Sequence, residues 1–245
     1  MSSHQSPRQN YPEFVENFGR GKNPETAAKL AVGGDFEAVG IIEREALRYY
    51  GLSETGYLID VGCGSGRLAI PLARDFHGRY LGTDVVPSFI EFAANAVSRP
   101  DWRFELVDSI VIPEVDNSAD MVCFFSVFTH LLHEQTYLYL EEARRVLKPG
   151  GKVVFSFLEF PVDWHWTIFM TTVEDIRTGR PSHLNMFVDR YALEVFASHL
   201  GLRIDEFRDA LERFVPLPYP VTHDNGVRME DFASVGQSVC VMSKA

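Results

Sequence analysis

Three glycines stand at alternate positions in Asp60-Val61-Gly62-Cys63-Gly64-Ser65-Gly66-Arg67, directly after the short apolar run Tyr57 to Val61. The run stops abruptly at the cluster, which suits a strand buried on both faces. After the cluster, Leu68, Leu72, Ala73 and Phe76 fall at helical steps. A turn this tight between strand and helix needs residues without a Cβ, because the backbone must approach a neighbour or ligand closely and some φ values are positive. The first turn of the helix then presents unpaired N–H groups that favour a negative group. The cluster is compatible with a plain tight turn and with a seat for a nucleotide-like ligand. In either case it opens a strand-turn-helix unit, and that limits the architectures open to the chain.

The rest of the chain repeats the unit. Arg79 to Asp84 reads as a second strand, and Pro87 opens a helix at its first position with Phe89, Ile90, Phe92, Ala93 and Ala96 inward. Trp102 to Val107 and Met121 to Phe125 are strands three and four. Glu134 to Leu147 is helical, Lys148-Pro149-Gly150-Gly151 breaks it, and Lys152 to Leu158 is the fifth strand. Strands alternating with helices predict a parallel sheet covered on both faces, with strand C-terminal ends along one ligand-binding edge. That edge should carry Asp60, Asp84, Asp108, Ser126 and Glu159, more carboxylates than packing alone needs.

Outside this core the signals are weaker. Residues 1–34 read as a polar tail and cap segment, with a helix start at Asn23-Pro24-Glu25, and residues 35–245 as the domain proper. A helix begins after Asp35, with Phe36, Val39, Ala46, Leu47 and Tyr50 on one face and Gly51 at its end. Residues 160–190 are rich in Trp, His and Phe without a clean period and read as a variable substrate-pocket region. A helix follows Asp189, Leu202 to Phe207 and Ser238 to Ser243 are strand candidates, and 214–226, with three prolines, is an extended loop.

Bulk properties exclude several classes. The formal net charge of −11 repels phosphate backbones, and the Lys and Arg residues form no compensating patch, which disfavours a nucleic-acid substrate. Three scattered cysteines, Cys63, Cys123 and Cys240, argue against a disulfide framework and for a reducing cytoplasm. The apolar runs are too short to cross a bilayer. No histidine or carboxylate group has a convincing metal spacing, so no metal is expected.

The residues around the glycine cluster carry the functional reading. Asp84, at the end of the second strand, can accept hydrogen bonds from both hydroxyls of a ribose; alternatively it caps the helix that starts at Pro87. Asp108 can accept from an adenine amino group or close an Asx-turn. A dehydrogenase fingerprint has two residues before its third glycine, whereas this turn has one. Taken together, Leu58 to Ala73, Tyr80 to Ala93, Val107-Asp108 and Ala143 to Phe157 resemble the ordered motifs of the class I S-adenosylmethionine-dependent methyltransferases. The resemblance spans about Phe36 to Phe160, roughly half the chain. It implies a doubly wound, mostly parallel, seven-stranded Rossmann-like sheet with a C-terminal antiparallel hairpin. It also implies S-adenosylmethionine as cofactor and S-adenosylhomocysteine as product.

Carried over by position, Gly62, Gly64, Gly66 and their neighbours line the methionine portion, and Asp60 orients the glycine loop. Asp84 holds the ribose, Val85 packs on the adenine, Asp108 and Ser109 face its edge, and Ser126 approaches the methionine amino group. Cys63 fills a variable loop site as a small packed residue.

The acceptor is less determined. A hydroxyl or carbon acceptor usually needs a base, and a neutral amine can do without one. His130, His133, His165, His183 and His223 are candidates. His130 leads, because it follows the fourth strand near where the methyl group should point; the alternative is a histidine that caps a helix or bonds backbone. The aromatics around His165 either stack a flat acceptor or form core under a lid, and Tyr11, Phe14 and Phe18 either fold over the cofactor or pad a groove. The expected activity is methyl transfer to oxygen or nitrogen of a small molecule. A protein or RNA methyltransferase, and a cofactor-binding protein without transfer, remain as alternatives.

Overall fold

A computed structural model describes residues 35–180 and 184–245. The tail, the helix start at Asn23, Tyr11, Phe14, Phe18 and His183 lie outside the described residues.

Helix α1 (Phe36–Tyr49) is capped by Asp35, whose side chain accepts from the Ala38 N–H at 3.1 Å. There follow β1 (Tyr57–Val61), the short α2 (Ala69–Leu72), β2 (Arg79–Asp84), α3 (Pro87–Val97), β3 (Arg103–Leu106), β4 (Ala119–Phe124) and a single 3₁₀ turn, Phe128–His130. Then come α4 (His133–Val146), β5 (Leu147–Phe157), α5 (Asp163–Thr178), α6 (Arg190–Leu200) and β6 (Leu202–Arg208). Two small hairpins are built from β7 (Val215–Pro216), β8 (Val221–Thr222), β9 (Arg228–Met229) and β10 (Phe232–Ala233), before β11 (Ser238–Lys244).

Seven strands form one sheet in the order β3-β2-β1-β4-β5-β11-β6. Pairing from β3 through β5 is parallel, and β11 lies antiparallel between β5 and β6. The expected Rossmann-like sheet with its terminal hairpin is therefore present. Alternate residues of each strand feed opposite faces. Ile59, Val122 and Phe155 pack with α4 and α6 on one side, and Leu58, Cys123 and Val154 with α1 and α2 on the other. This double covering buries β1, β2 and β4, leaves the edge strand β3 partly exposed, and brings the C-terminal ends of the parallel strands to a common edge.

Four local readings need correction. The helix after the glycine turn lasts only Ala69–Leu72, because Pro71 lacks an N–H and its carbonyl is taken by Arg44 at 3.1 Å. The Lys148–Gly151 break lies inside β5, which starts at Leu147; Gly150 has φ +77° and the register against β4 shifts between Ala119 and Met121. Residues 163–178 form a full helix although no apolar period marks it. The proline-rich stretch is not a bare loop: Val215–Pro216 pairs with Phe232–Ala233 and Val221–Thr222 with Arg228–Met229.

Candidate active site

The strand ends frame a cavity of about 990 Å³, mouth included, which lies along β2, β1 and β4. Its walls include Asp60, Gly62, Cys63, Gly64, Asp84, Val85, Ser126 and His130. These eight residues, all expected from the sequence, thus meet in one place. Asp108 and Ser109 are exposed beyond the end of β3, where their neighbour Val107 lines the wall. Gly66 packs inward instead, and a Cβ there would sit 3.2 Å from that of Ala93.

The glycine turn is tied to β2. The N–H groups of Gly62 and Cys63 both donate to the Thr83 carbonyl, at 2.7 and 2.9 Å. Gly62 has φ +74°, and a Cβ on it would lie 2.4 Å from a methyl of Val127. Only glycine lets the two strand ends close this far. Asp84 completes the cradle: one carboxylate oxygen accepts from Gly64 N–H and the other from Val86 N–H, each at 2.9 Å. Asp84 therefore both caps the turn before Pro87 and keeps lone pairs on each oxygen for a ligand. Burial pushes its pKa up to about 6, against the pull of those backbone bonds.

Asp60 works differently from the expectation. Its carboxylate accepts from the Tyr80 hydroxyl at 2.7 Å and from the Cys123 thiol at 3.5 Å, while Thr83 and Asp84 hold the turn. Burial raises its pKa to about 7. Cys63 is buried and its thiol is held well above the usual thiol range by burial, with Asp60 and Asp84 adding to the effect. That is the packed residue anticipated, with no thiolate to react.

Two wall residues escaped the sequence reading, Glu43 of α1 and Arg67 at the end of the glycine motif. They form a buried ion pair, with Arg67 donating to both carboxylate oxygens at 2.6 and 3.2 Å. Burial raises the Glu43 pKa although Arg67 opposes it. The pair exists because α1 lies directly on the turn: a Cβ at Gly40 would come 2.1 Å from the Arg67 carbonyl oxygen. Gly40 and Glu43, three residues apart on a helix, were the available signal.

On the far side, Ser126, two residues beyond the end of β4, has φ +60°, a conformation rare outside glycine. The 3₁₀ turn that follows carries His130 into the wall. Its Nδ1 lies 2.9 Å from the Leu184 carbonyl, which can only accept, so Nδ1 donates there. His133 bonds the Phe187 carbonyl through its other ring nitrogen, Nε2, at 3.0 Å.

Two further histidines pack within the fold. His165 is fully buried, its Nδ1 against the Glu159 backbone N–H at 3.1 Å, and burial lowers its pKa. His223, another candidate base, lies half-buried 3.4 Å from Asp35, the cap of α1. Glu159, placed on the ligand edge by the sequence pattern, is instead taken up by Arg190, at 2.8 and 3.1 Å, and by the Ser238 hydroxyl. Above this edge, Phe160 stacks on Phe187 at 4.8 Å and Trp166 on Phe169 at 4.9 Å. Among the described residues, no group of three or more metal-ligating side chains comes together, and no helix is long and apolar enough to cross a membrane.

The motif-bearing stretch, residues 58–151, matches the family model described as a methyltransferase domain. That stretch is therefore similar to a methyltransferase domain, and S-adenosylmethionine-dependent methyltransferases share the fold. A malonyl-[acyl-carrier protein] O-methyltransferase of Hahella chejuensis is 30% identical over 161 residues, 63% of this chain and 53% of that protein. A tRNA(Thr) (cytosine(32)-N(3))-methyltransferase of Saccharomyces cerevisiae is 25% identical over 109 residues, 40% of this chain and 17% of that protein. The chain thus spans about half or less of the length of these curated relatives. Among solved structures, the magnesium protoporphyrin IX methyltransferase of Synechocystis PCC 6803, with bound SAH, superposes with a TM-score of 0.61 at 14% identity. It covers 97% of this chain and 94% of its own. At that identity the likeness speaks for the fold.

Proposed function

We propose that the protein transfers a methyl group from S-adenosylmethionine to an oxygen or nitrogen of a small molecule, and that residues 35–245 act as one unit in doing so. The observation that carries this reading is the order of groups along the cavity. Asp84, with lone pairs to spare on both oxygens, stands at one end; the glycine cradle lies in the middle; Ser126 and His130 stand at the other. Asp84 would hold the ribose, Val85 and Val107 the adenine, and Gly62, Gly64 and Ser126 the methionine half. Asp108 and Ser109 face the adenine edge from outside the wall. Gly62 supports the fit by letting the turn close against Val127, which shapes the middle of the cradle.

The cofactor supplies a methyl carbon bound to a good leaving group, so positioning does much of the catalysis, worth roughly 7–11 kcal/mol in favourable cases. His130 supplies the base, its ring anchored through Nδ1 on the Leu184 carbonyl at the cavity wall. Two observations favour a small acceptor. The net charge of −11 opposes a nucleic-acid backbone. The helix α5 and Phe160, Phe169 and Phe187 supply aromatic surface next to the turn that carries His130, joined to it by the Met186 N–H on the Thr129 carbonyl at 2.7 Å. The yeast relative keeps an RNA or protein acceptor as the reading to test against.

The experiment is a screen of hydroxylated and amino small molecules, tRNA and protein extract for S-adenosylhomocysteine release. Release with small molecules alone supports the proposal. Release only with tRNA or protein overturns its acceptor class, and cofactor binding with no release from any acceptor favours a binding protein without transfer.

A further inference from the structure

Ser126 is the residue of the cavity wall with an unfavourable backbone, and the structure shows what keeps it there. A side chain at φ +60° persists only where its surroundings impose that conformation. Its N–H donates to the Ser156 hydroxyl on the neighbouring strand at 2.8 Å. Ser156, which is 1% exposed, passes its own proton to the Gln237 side-chain oxygen at 2.7 Å. The Ser126 carbonyl accepts from the Thr129 hydroxyl at 2.9 Å, which ties the same residue to the turn that carries His130. A hydroxyl has one proton to give; with Gln237 taking it, the Ser156 oxygen is left facing the Ser126 N–H as an acceptor. The direction of the relay is therefore fixed from its outer end.

That outer end is itself anchored. Gln237 sits between Gly236, whose carbonyl accepts from the Trp164 indole at 2.7 Å, and Ser238, whose hydroxyl bonds Glu159. Neither Ser156 nor Gln237 lines the cavity.

We infer that Ser156 and Gln237 are positioning residues whose relay holds Ser126 in its left-handed conformation and so sets the end of the cavity that receives the methionine half of the cofactor. The inference rests on the cofactor reading above. It accounts for a serine at a position where glycine would be unstrained: the relay supplies what the missing glycine would have given. It also predicts a one-ended effect. The Asp84 end, two strands away, does not depend on the relay, so a ligand that uses only that end is indifferent to it.

The test is calorimetric binding of S-adenosylmethionine and of methylthioadenosine, which lacks the amino-acid end, to wild type, Ser156→Ala, Gln237→Met, Ser126→Gly and Ser126→Gly/Ser156→Ala. Loss of one such bond corresponds to roughly tenfold in affinity. Ser156→Ala is expected to weaken S-adenosylmethionine about tenfold and methylthioadenosine less than about twofold, with Gln237→Met showing a smaller loss of the same one-ended kind. In the Ser126→Gly background, where the left-handed conformation needs no support, Ser156→Ala is expected to change S-adenosylmethionine affinity less than about twofold. Equal loss of both ligands, no loss of either, or an undiminished loss in the Ser126→Gly background would overturn the inference. Should Ser156→Ala unfold, the split between the two ligands in Gln237→Met decides alone. Failure of wild type to bind S-adenosylmethionine would instead strike the cofactor reading, and the relay with it.

Discussion

Replacing Asp84 by alanine isolates the group on which the cofactor reading depends. Each carboxylate oxygen already accepts one backbone N–H, from Gly64 and from Val86, both at 2.9 Å. An ionised carboxylate offers about four lone-pair sites, so roughly two remain for the ribose hydroxyls. With its pKa at about 6, the group is mostly ionised at pH 7.5. Hydrogen bonds to a charged group contribute about 1.5–3 kcal/mol each, so two give roughly 3–6 kcal/mol. The lower end is the better figure, because water competes for the ribose before binding; roughly 3 kcal/mol is about a hundredfold in Kd. Asp84→Asn keeps one acceptor oxygen and is expected to lose roughly half that free energy, about tenfold. The assay is calorimetric titration with S-adenosylmethionine at pH 7.5, beside circular dichroism and a thermal melt to show that the variants fold. An Asp84→Ala protein that melts cooperatively and binds within about twofold of wild type would refute the ribose assignment and with it the orientation of the ligand.

The same group sets a pH dependence. Burial raises the Asp84 pKa to about 6, and the ribose hydroxyls favour the ionised form. Affinity is therefore expected to be level above about pH 7 and to fall as pH drops through 6, and constant affinity from pH 7.5 to 5 would contradict this. His130→Ala should leave cofactor affinity within a few-fold and lower kcat by about 10²–10⁴ with a hydroxyl acceptor, as measured by product release; full turnover would remove His130 from the mechanism. Glu159→Ala strips the buried partner of Arg190 and Ser238 and should cost about 2–3 kcal/mol of stability in denaturant melts. Because Glu159 also holds Ser238 beside Gln237, its cofactor affinity should fall no further than that of Gln237→Met, and a larger loss of binding with an unchanged melt would return Glu159 to the site.

What the sequence disclosed and what it hid follow from the range of the interactions involved. The βα units were legible because strands buried on both faces leave unbroken apolar runs, as in Tyr57–Val61, and the turn was legible because no side chain fits beside Val127. Asp84 was legible as a carboxylate at the end of the second strand, but its bonds to the Gly64 and Val86 N–H groups of the turns on either side were not. Helix α5 was invisible because His165 is its single fully buried residue, and a helix that buries no stripe leaves no period. The Glu43–Arg67 pair joins residues far apart in sequence through a helix packed on a turn, and nothing local marks either as buried. Glu159 looked like Asp60 and Asp84 because each ends a strand. Only the tertiary placement of Arg190 and Ser238 shows that its lone pairs are taken. The strained backbone of Ser126 gave no signal because serine does not ordinarily adopt positive φ, and its support comes from residues 30 and more positions away.

The central claim is that the cavity between Asp84 and Ser126 is built for S-adenosylmethionine and not for a nicotinamide dinucleotide. Calorimetric titration of the purified protein with S-adenosylmethionine and, separately, with NADH tests it most directly. The account predicts binding of the first at about micromolar Kd and none of the second. Binding of NADH alone would contradict it and return the glycine turn to the dehydrogenases.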